Sequence, residues 1–228
     1  MTDLRRILES ERKVERDFVA GESPNPKGWS VALTMFHFLK WRERMYDRLS
    51  ALRDGRPYAP PPQDVDEFND RELASSAQIP LGDSAERADS LLSSLIDVYE
   101  AVGDQRFAWY RWNTTTEAIL ANAYTHPHTH IVQNLKENDD LPRAVRLLET
   151  TVSVLRHASA PSGILGVEVY NLGCLRVAEG RYDEALTLIE ESIPLRPALK
   201  AVAADDPDLA PLRDSARLDT ILSGSEPD

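Results

Sequence analysis

Residues Tyr124 to His130 read Tyr-Thr-His-Pro-His-Thr-His. The chain has five histidines, and three of them fall within these five positions, 126 to 130. His126 and His130 are four apart. On a helix that spacing puts both imidazoles on one face, close enough to share a metal ion. His128 points about 200° away from either at ~100° per residue, so the run reads as a pair plus a surface bystander. With a third ligand nearby, the pair becomes a metal site with open coordination positions. Without one it is a decorated helix surface.

The elements that must position these rings are amphipathic helices. Asp3 to Val19 carries Leu4, Ile7, Leu8, Val14 and Phe18 roughly on one stripe. Ser30 offers an N-cap for a second helix reaching about Arg53. Its stripe runs Thr34, Phe38, Trp41, Met45, Leu49 and Leu52, and His37 sits at the stripe's edge, facing inward or sideways. Pro60-Pro61-Pro62 breaks the pattern, with a short helix expected over Val65 to Leu73. Asp83 or Ser84 can cap a third long helix to about Val102. Phe107, Trp109, Tyr110 and Trp112 then fall in an expected loop, where they cap the core or wall a pocket.

Thr114 to Asn138 reads as a fourth long helix in which Ile119, Ala123, His126 and His130 form one buried stripe. Pro127 has no N–H for the carbonyl of Ala123. The helix either kinks there or breaks at Tyr124, with Thr125 capping a new segment and Pro127 in its first turn. A kink that rotates the helix would leave His128 open as a replacement ligand.

Composition bounds the rest. The chain has 228 residues, 42% of them apolar and 28% charged. Leucine and alanine abound and β-branched runs are scarce, which predicts an all-α fold. The net charge of -12, from 26 basic against 38 acidic residues, argues against nucleic acid and against an anionic membrane surface. Cys174 is the single cysteine, so no internal disulfide and no cysteine-based zinc cluster can form. With no signal peptide at the start and no apolar run near ~20 residues, a cytoplasmic location is expected. No Gly-rich phosphate loop and no Ser-His-Asp arrangement stands out.

A histidine on the second helix and a His-x3-His on the fourth resemble the DinB-like four-helix bundles, and within them the ClbS/DfsB-like group. The residues that carry the resemblance are Ser30 to Trp41, Val65-Asp66-Glu67-Phe68-Asn69, and Trp112 through Ile131, within a domain of residues 1–137. The resemblance implies an inward-facing triad of His37, His126 and His130 around a divalent metal ion, zinc or nickel foremost. Three imidazoles leave a position for water or substrate, and such water can fall towards a pKa of ~7. The resemblance further implies hydrolase or thiol-transferase chemistry on a small electrophilic compound. Trp112 would lie near the mouth, Asn122 one turn before His126 would orient ligand or substrate, and Trp41 would line the pocket. No catalytic residue is assigned. Pro127 departs from the family's His-x3-His helix.

Residues 138–228 have a different character. Gly166 to Leu199 resembles one 34-residue tetratricopeptide repeat through Leu172, Gly173, Tyr182, Ala185 and Pro197. Small residues at 173 and 185 would let two antiparallel helices approach closely, with Cys174 in the hairpin core. Arg176, Ser192 and Pro194 are defects against that pattern. Asp140 to Leu148 echoes Arg181 to Ile189, and residues 205–213 resemble a capping helix. His157 reads as a favourable partner of a helix C-terminus. An alternative function follows from this half: a non-catalytic scaffold that uses the hairpin for a homodimer or a protein partner.

Overall fold

In a computed structural model, residues 2–21, 27–58, 60–76 and 79–223 are described. The fold is all-α apart from one small hairpin, and the chain divides into two compact units, Met1–Asn138 and Asp139–Asp228. No helix among the described residues is long and apolar enough to cross a membrane.

In the first unit α1 spans Leu4–Ala20, α2 Val31–Arg53, α3 Val65–Leu73 and α4 Leu81–Val102. The starts of α1, α2 and α3 follow side-chain caps: Asp3 accepts from the Arg6 N–H, Ser30 from Leu33 and Asp64 from Glu67. The third long helix begins three or four residues earlier than its polar cap candidates suggest. Pro80 precedes it without a side-chain cap, and Asp83 lies in the first turn instead. There its charge complements the helix dipole.

The aromatic segment is not a loop but a hairpin. Strand β1 (Arg106–Trp109) pairs antiparallel with β2 (Trp112–Thr114), with Trp109 opposite Trp112. Tyr110 takes a positive φ of 51° at its tip. Phe107 and Trp109 are buried, while Tyr110 is exposed. Thr114 and Glu117 then form a reciprocal capping box that opens α5, Thr115–Leu120.

The fourth long segment is broken. After α5 the chain makes a π-helical turn, Ala121–Thr125, before α6 runs His126–Glu137 with Pro127 in its first turn. Thr125 supplies no side-chain cap. The π turn absorbs the missing proline donor by a wider pitch, in which the His126 N–H reaches back to Ala121. Helix α2 packs along α4, α4 against α1, and the π turn touches both α1 and α2. Ile7, Leu8, Leu39, Met45, Leu49, Leu92, Leu95, Ile119 and Ala123 fill the shared core at full burial.

The second unit comprises α7 (Leu141–His157), α8 (Ser162–Ala178), α9 (Tyr182–Leu195), α10 (Leu199–Asp205), a 3-10 helix (Pro207–Leu212) and α11 (Ala216–Ser223). Helices α8 and α9 pack tightly. A Cβ on Gly173 would sit 3.1 Å from Ile189 Cγ1, and one on Gly166 2.9 Å from Leu195 Cβ. Cys174 joins the hairpin core with Tyr170, Ile189, Leu209 and Leu212. Arg176, where the repeat pattern wants an aromatic, is buried and ion-paired with Glu149 of α7 and Glu179. Its guanidinium thus ties two helices where a ring would otherwise pack. Ser192 is buried and donates its hydroxyl to the Ile189 carbonyl at 2.7 Å. His157 Nδ1 lies 2.7 Å from the Ser153 carbonyl in the last turn of α7. Among the described residues of this unit, Tyr182 and Val202 are the exposed large apolar side chains, and scattered single residues of that kind are ordinary on a surface.

Candidate metal centre

Helix α2 delivers His37 from its second turn, and the start of α6 delivers His126 and His130. His37 Nε2 lies 3.1 Å from His126 Nε2, and His130 Nε2 lies 3.0 Å from the same atom. All three ligand atoms fall within 4.8 Å of one another. Two nitrogens bound to one ion at ~2.0–2.1 Å stand about 2.9–3.4 Å apart at ordinary ligand angles. The two short separations fit that range, and a side-chain adjustment of about 1.4 Å would bring the widest, up to 4.8 Å, into it.

The protonation states fit as well. Burial drives His37 down to about 3, helped by the charges of His130 and Arg44. His130 falls to about 4 through burial. His126 is held well below the usual imidazole value, chiefly by burial and then by His130 and His37. All three are neutral at pH 7, the form that ligates a cation. The His126 ring also makes a hydrogen bond to the Asn122 backbone. Its Nε2 therefore faces both partners with a single lone pair. His37, His126 and His130 together can hold a metal ion, and the partial exposure of His126 and His130 leaves the cluster open on one side.

Aromatic rings wall the cluster. Trp29 stacks on His130, with centroids 5.3 Å apart and planes 7° from parallel, and meets His37 edge-on. Trp41 stands edge-on to His126 at 5.6 Å, and its Nε1 donates to Asn69 Oδ1. Phe38 closes a third side. Trp109 and Tyr110 reach the triad only through Trp41. Arg44 covers the rings of Phe68 and Trp41.

The expected neighbours divide. Trp41 is in contact with the triad. Asn122 is buried and donates Nδ2 to the Trp41 carbonyl at 3.2 Å, tying the π turn to α2. Trp112 lies on β2 opposite Trp109. The indole stacked on the triad is Trp29, which sequence reasoning missed. Its signal was available: a tryptophan directly before Ser30, the cap of the helix that carries His37.

His128 is not on the surface. It is 1% exposed, its Nε2 lies 2.6 Å from Glu11 Oε2, and its ring packs on Tyr124. The turn before α6 lies between α1 and α2, so the face opposite the triad is covered too. Glu11 and Glu15 continue the buried stripe of α1 in place of Val14, which is only half-buried. Arg42, fully buried on α2, takes Glu15 in a two-point bond and donates Nη1 to the Ala88 carbonyl. Burial pushes the Glu15 carboxyl up to about 7 against the pull of Arg42. Arg42 Nη2 also donates to the Ala123 carbonyl at 3.2 Å. That is the carbonyl which the missing Pro127 N–H would serve in an α-helix. The spacing of Glu11 and Glu15 with Leu4, Ile7 and Phe18 was a legible signal for this network, since charges on an apolar stripe need buried partners.

No family model, curated protein or solved structure matches the chain.

Proposed function

We propose that this chain is a divalent-metal-binding protein of the DinB-like kind, with zinc or nickel on His37, His126 and His130. We further propose that it acts as a metal-dependent hydrolase or thiol transferase on a small electrophilic compound. The observation that carries the reading is the convergence of three neutral imidazole nitrogens, from residues 89 and four positions apart, on one point in the bundle. A surface cluster without a ligand has no reason to desolvate three basic rings together.

When bound, a divalent ion there supplies Lewis-acid activation of water or of a thiol. The chain's own residues do the positioning. The Asn122 backbone orients His126, and the rings of Trp29, Phe38 and Trp41 keep water from three sides. The incomplete cover of His126 and His130 gives a small molecule its approach.

The test is metal content of the purified protein, measured by plasma mass spectrometry after growth with zinc and nickel. About one ion per chain is expected for the wild type, with loss of at least half of it in both His37→Ala and His126→Ala. Equal metal content in wild type and variants refutes the reading.

A further inference from the structure

His126, His130, Asn134 and Glu137 fall on one stripe of α6, at spacings of four, four and three. Beyond His130 this stripe borders a cavity of about 260 Å³, roughly nine water volumes. Trp29, Thr34, His130, Gln133, Asn134 and Glu137 line it. The cavity therefore begins at a triad ring and ends at a carboxylate two helical turns away, about 10.5 Å along the axis.

The backbone opposite leaves room for the carboxylate. Gly28 adopts a φ of 70°, and a Cβ at that position would lie 1.8 Å from Glu137 Oε2. Only glycine permits both the turn and the approach. Gln133 Nε2 donates to Glu137 Oε1 at 2.8 Å and fixes the other oxygen. Asn134 Nδ2 donates to the Trp29 backbone carbonyl at 3.0 Å, and the Trp29 indole stacks on His130 of the same stripe. Glu137 sits at the C-terminus of α6, where the backbone carbonyls already make the potential negative. A negative charge at that end destabilises the helix, and a cation beside it would offset that cost.

We propose that this cavity binds a small organic cation, a primary ammonium on a short apolar body, with the ammonium on Glu137 and the far end at His130. The body lies along Trp29, whose face attracts the positive end. This specifies the substrate class of the proposed metal centre and rests on that reading only for what happens at the His130 end. Cation recognition at Glu137 needs no metal.

The experiment titrates the chelator-treated full chain with n-butylammonium, n-butanol and n-butyrate. The readout is the indole N–H resonance of Trp29, assigned with Trp29→Phe. Butylammonium is expected to bind about fivefold tighter than butanol, and butyrate more weakly than both. Glu137→Gln should bring ammonium and alcohol within about twofold. Gly28→Ala, which keeps the carboxylate but displaces it, should do the same. His130→Ala should retain the ammonium preference while losing metal. Equal affinity for ammonium and alcohol in the wild type, or a preference that survives in Glu137→Gln, overturns the proposal. A preserved preference in a protein that takes up no zinc instead overturns the metal reading alone.

Discussion

The Glu11–Glu15–Arg42–His128 cluster and the His37–His126–His130 cluster share two helices, α2 and α6, with α1 adding Glu11 and Glu15 to the first, yet they meet the cost of burial in opposite ways. In the first, opposite charges face one another: a guanidinium against two carboxylates, and an imidazole against one of them. In the second, three bases face one another, and beside burial His130 lowers the proton affinity of His37 and His126, and His37 that of His126. The first arrangement is complete within the chain, apart from Glu11 Oε1 and Arg42 Nε, which lack hydrogen-bond partners. The second is a set of neutral ring nitrogens whose lone pairs can hold a cation. Buried polar groups stabilise when paired and cost when they are not. The contrast separates a scaffold from a site.

Breaking the scaffold should have the largest effect. Arg42→Met leaves Glu11 and Glu15 buried without their cation and strips the Ala123 carbonyl of its donor. Urea unfolding is expected to show a loss of about 3–5 kcal/mol. A loss under about 1 kcal/mol would mean that the network is not what braces the π turn.

Acid should separate the clusters next. His37 and His130 have folded values of about 3 and about 4, below the ordinary 6.5. The unfolded chain thus binds more protons as pH falls below 6.5, and metal-free stability drops across that window by up to about 1.4 kcal/mol per pH unit per histidine. Glu15 has the opposite sign, because its folded value is raised and its contribution is lost as pH rises from 4.5 towards 7. Comparing wild type with His37→Ala/His130→Ala cancels that term. Between pH 6.5 and 4.5 the wild type should lose about 2–4 kcal/mol more than the double variant; parallel curves would remove the triad as the source.

Filling the site should sharpen the contrast. Zinc at about a hundred times its Kd is expected to stabilise the wild type by about 2.7 kcal/mol. Calorimetry should show the shift abolished in His126→Ala but kept in Trp112→Phe, since Trp29 stacks on the triad and Trp41 meets it edge-on. The smallest effect belongs to Pro127→Ala. Restoring an N–H there competes with Arg42 for Ala123, and stability should change by less than about 1 kcal/mol. Metal affinity reports whether Pro127 or the Arg42 anchor sets the pitch that brings His126 to its partners.

Much of this was legible before any coordinates. Periodicity located α1, α2 and α3 within about two residues, because amphipathic stripes and Ser or Asp boundaries act locally. The hairpin escaped because its strands are four and three residues long, too short for an alternation to register. His128 was misplaced because a helical angle says which way a ring points from its own axis and nothing of what lies there.

The sequence by itself determined the helical class, the helices that carry the candidate ligands and the shared face of His126 and His130, since these follow from spacing along one chain. Tertiary structure alone decided how closely His37 meets that pair, that Trp29 stacks on His130, and that Glu11, Glu15 and Arg42 occupy apolar positions as a neutralising set. Those outcomes depend on which surfaces of distant helices come into register, and the stabilisation of a buried charge or lone pair is a property of the partner across the interface, not of its own neighbours in sequence.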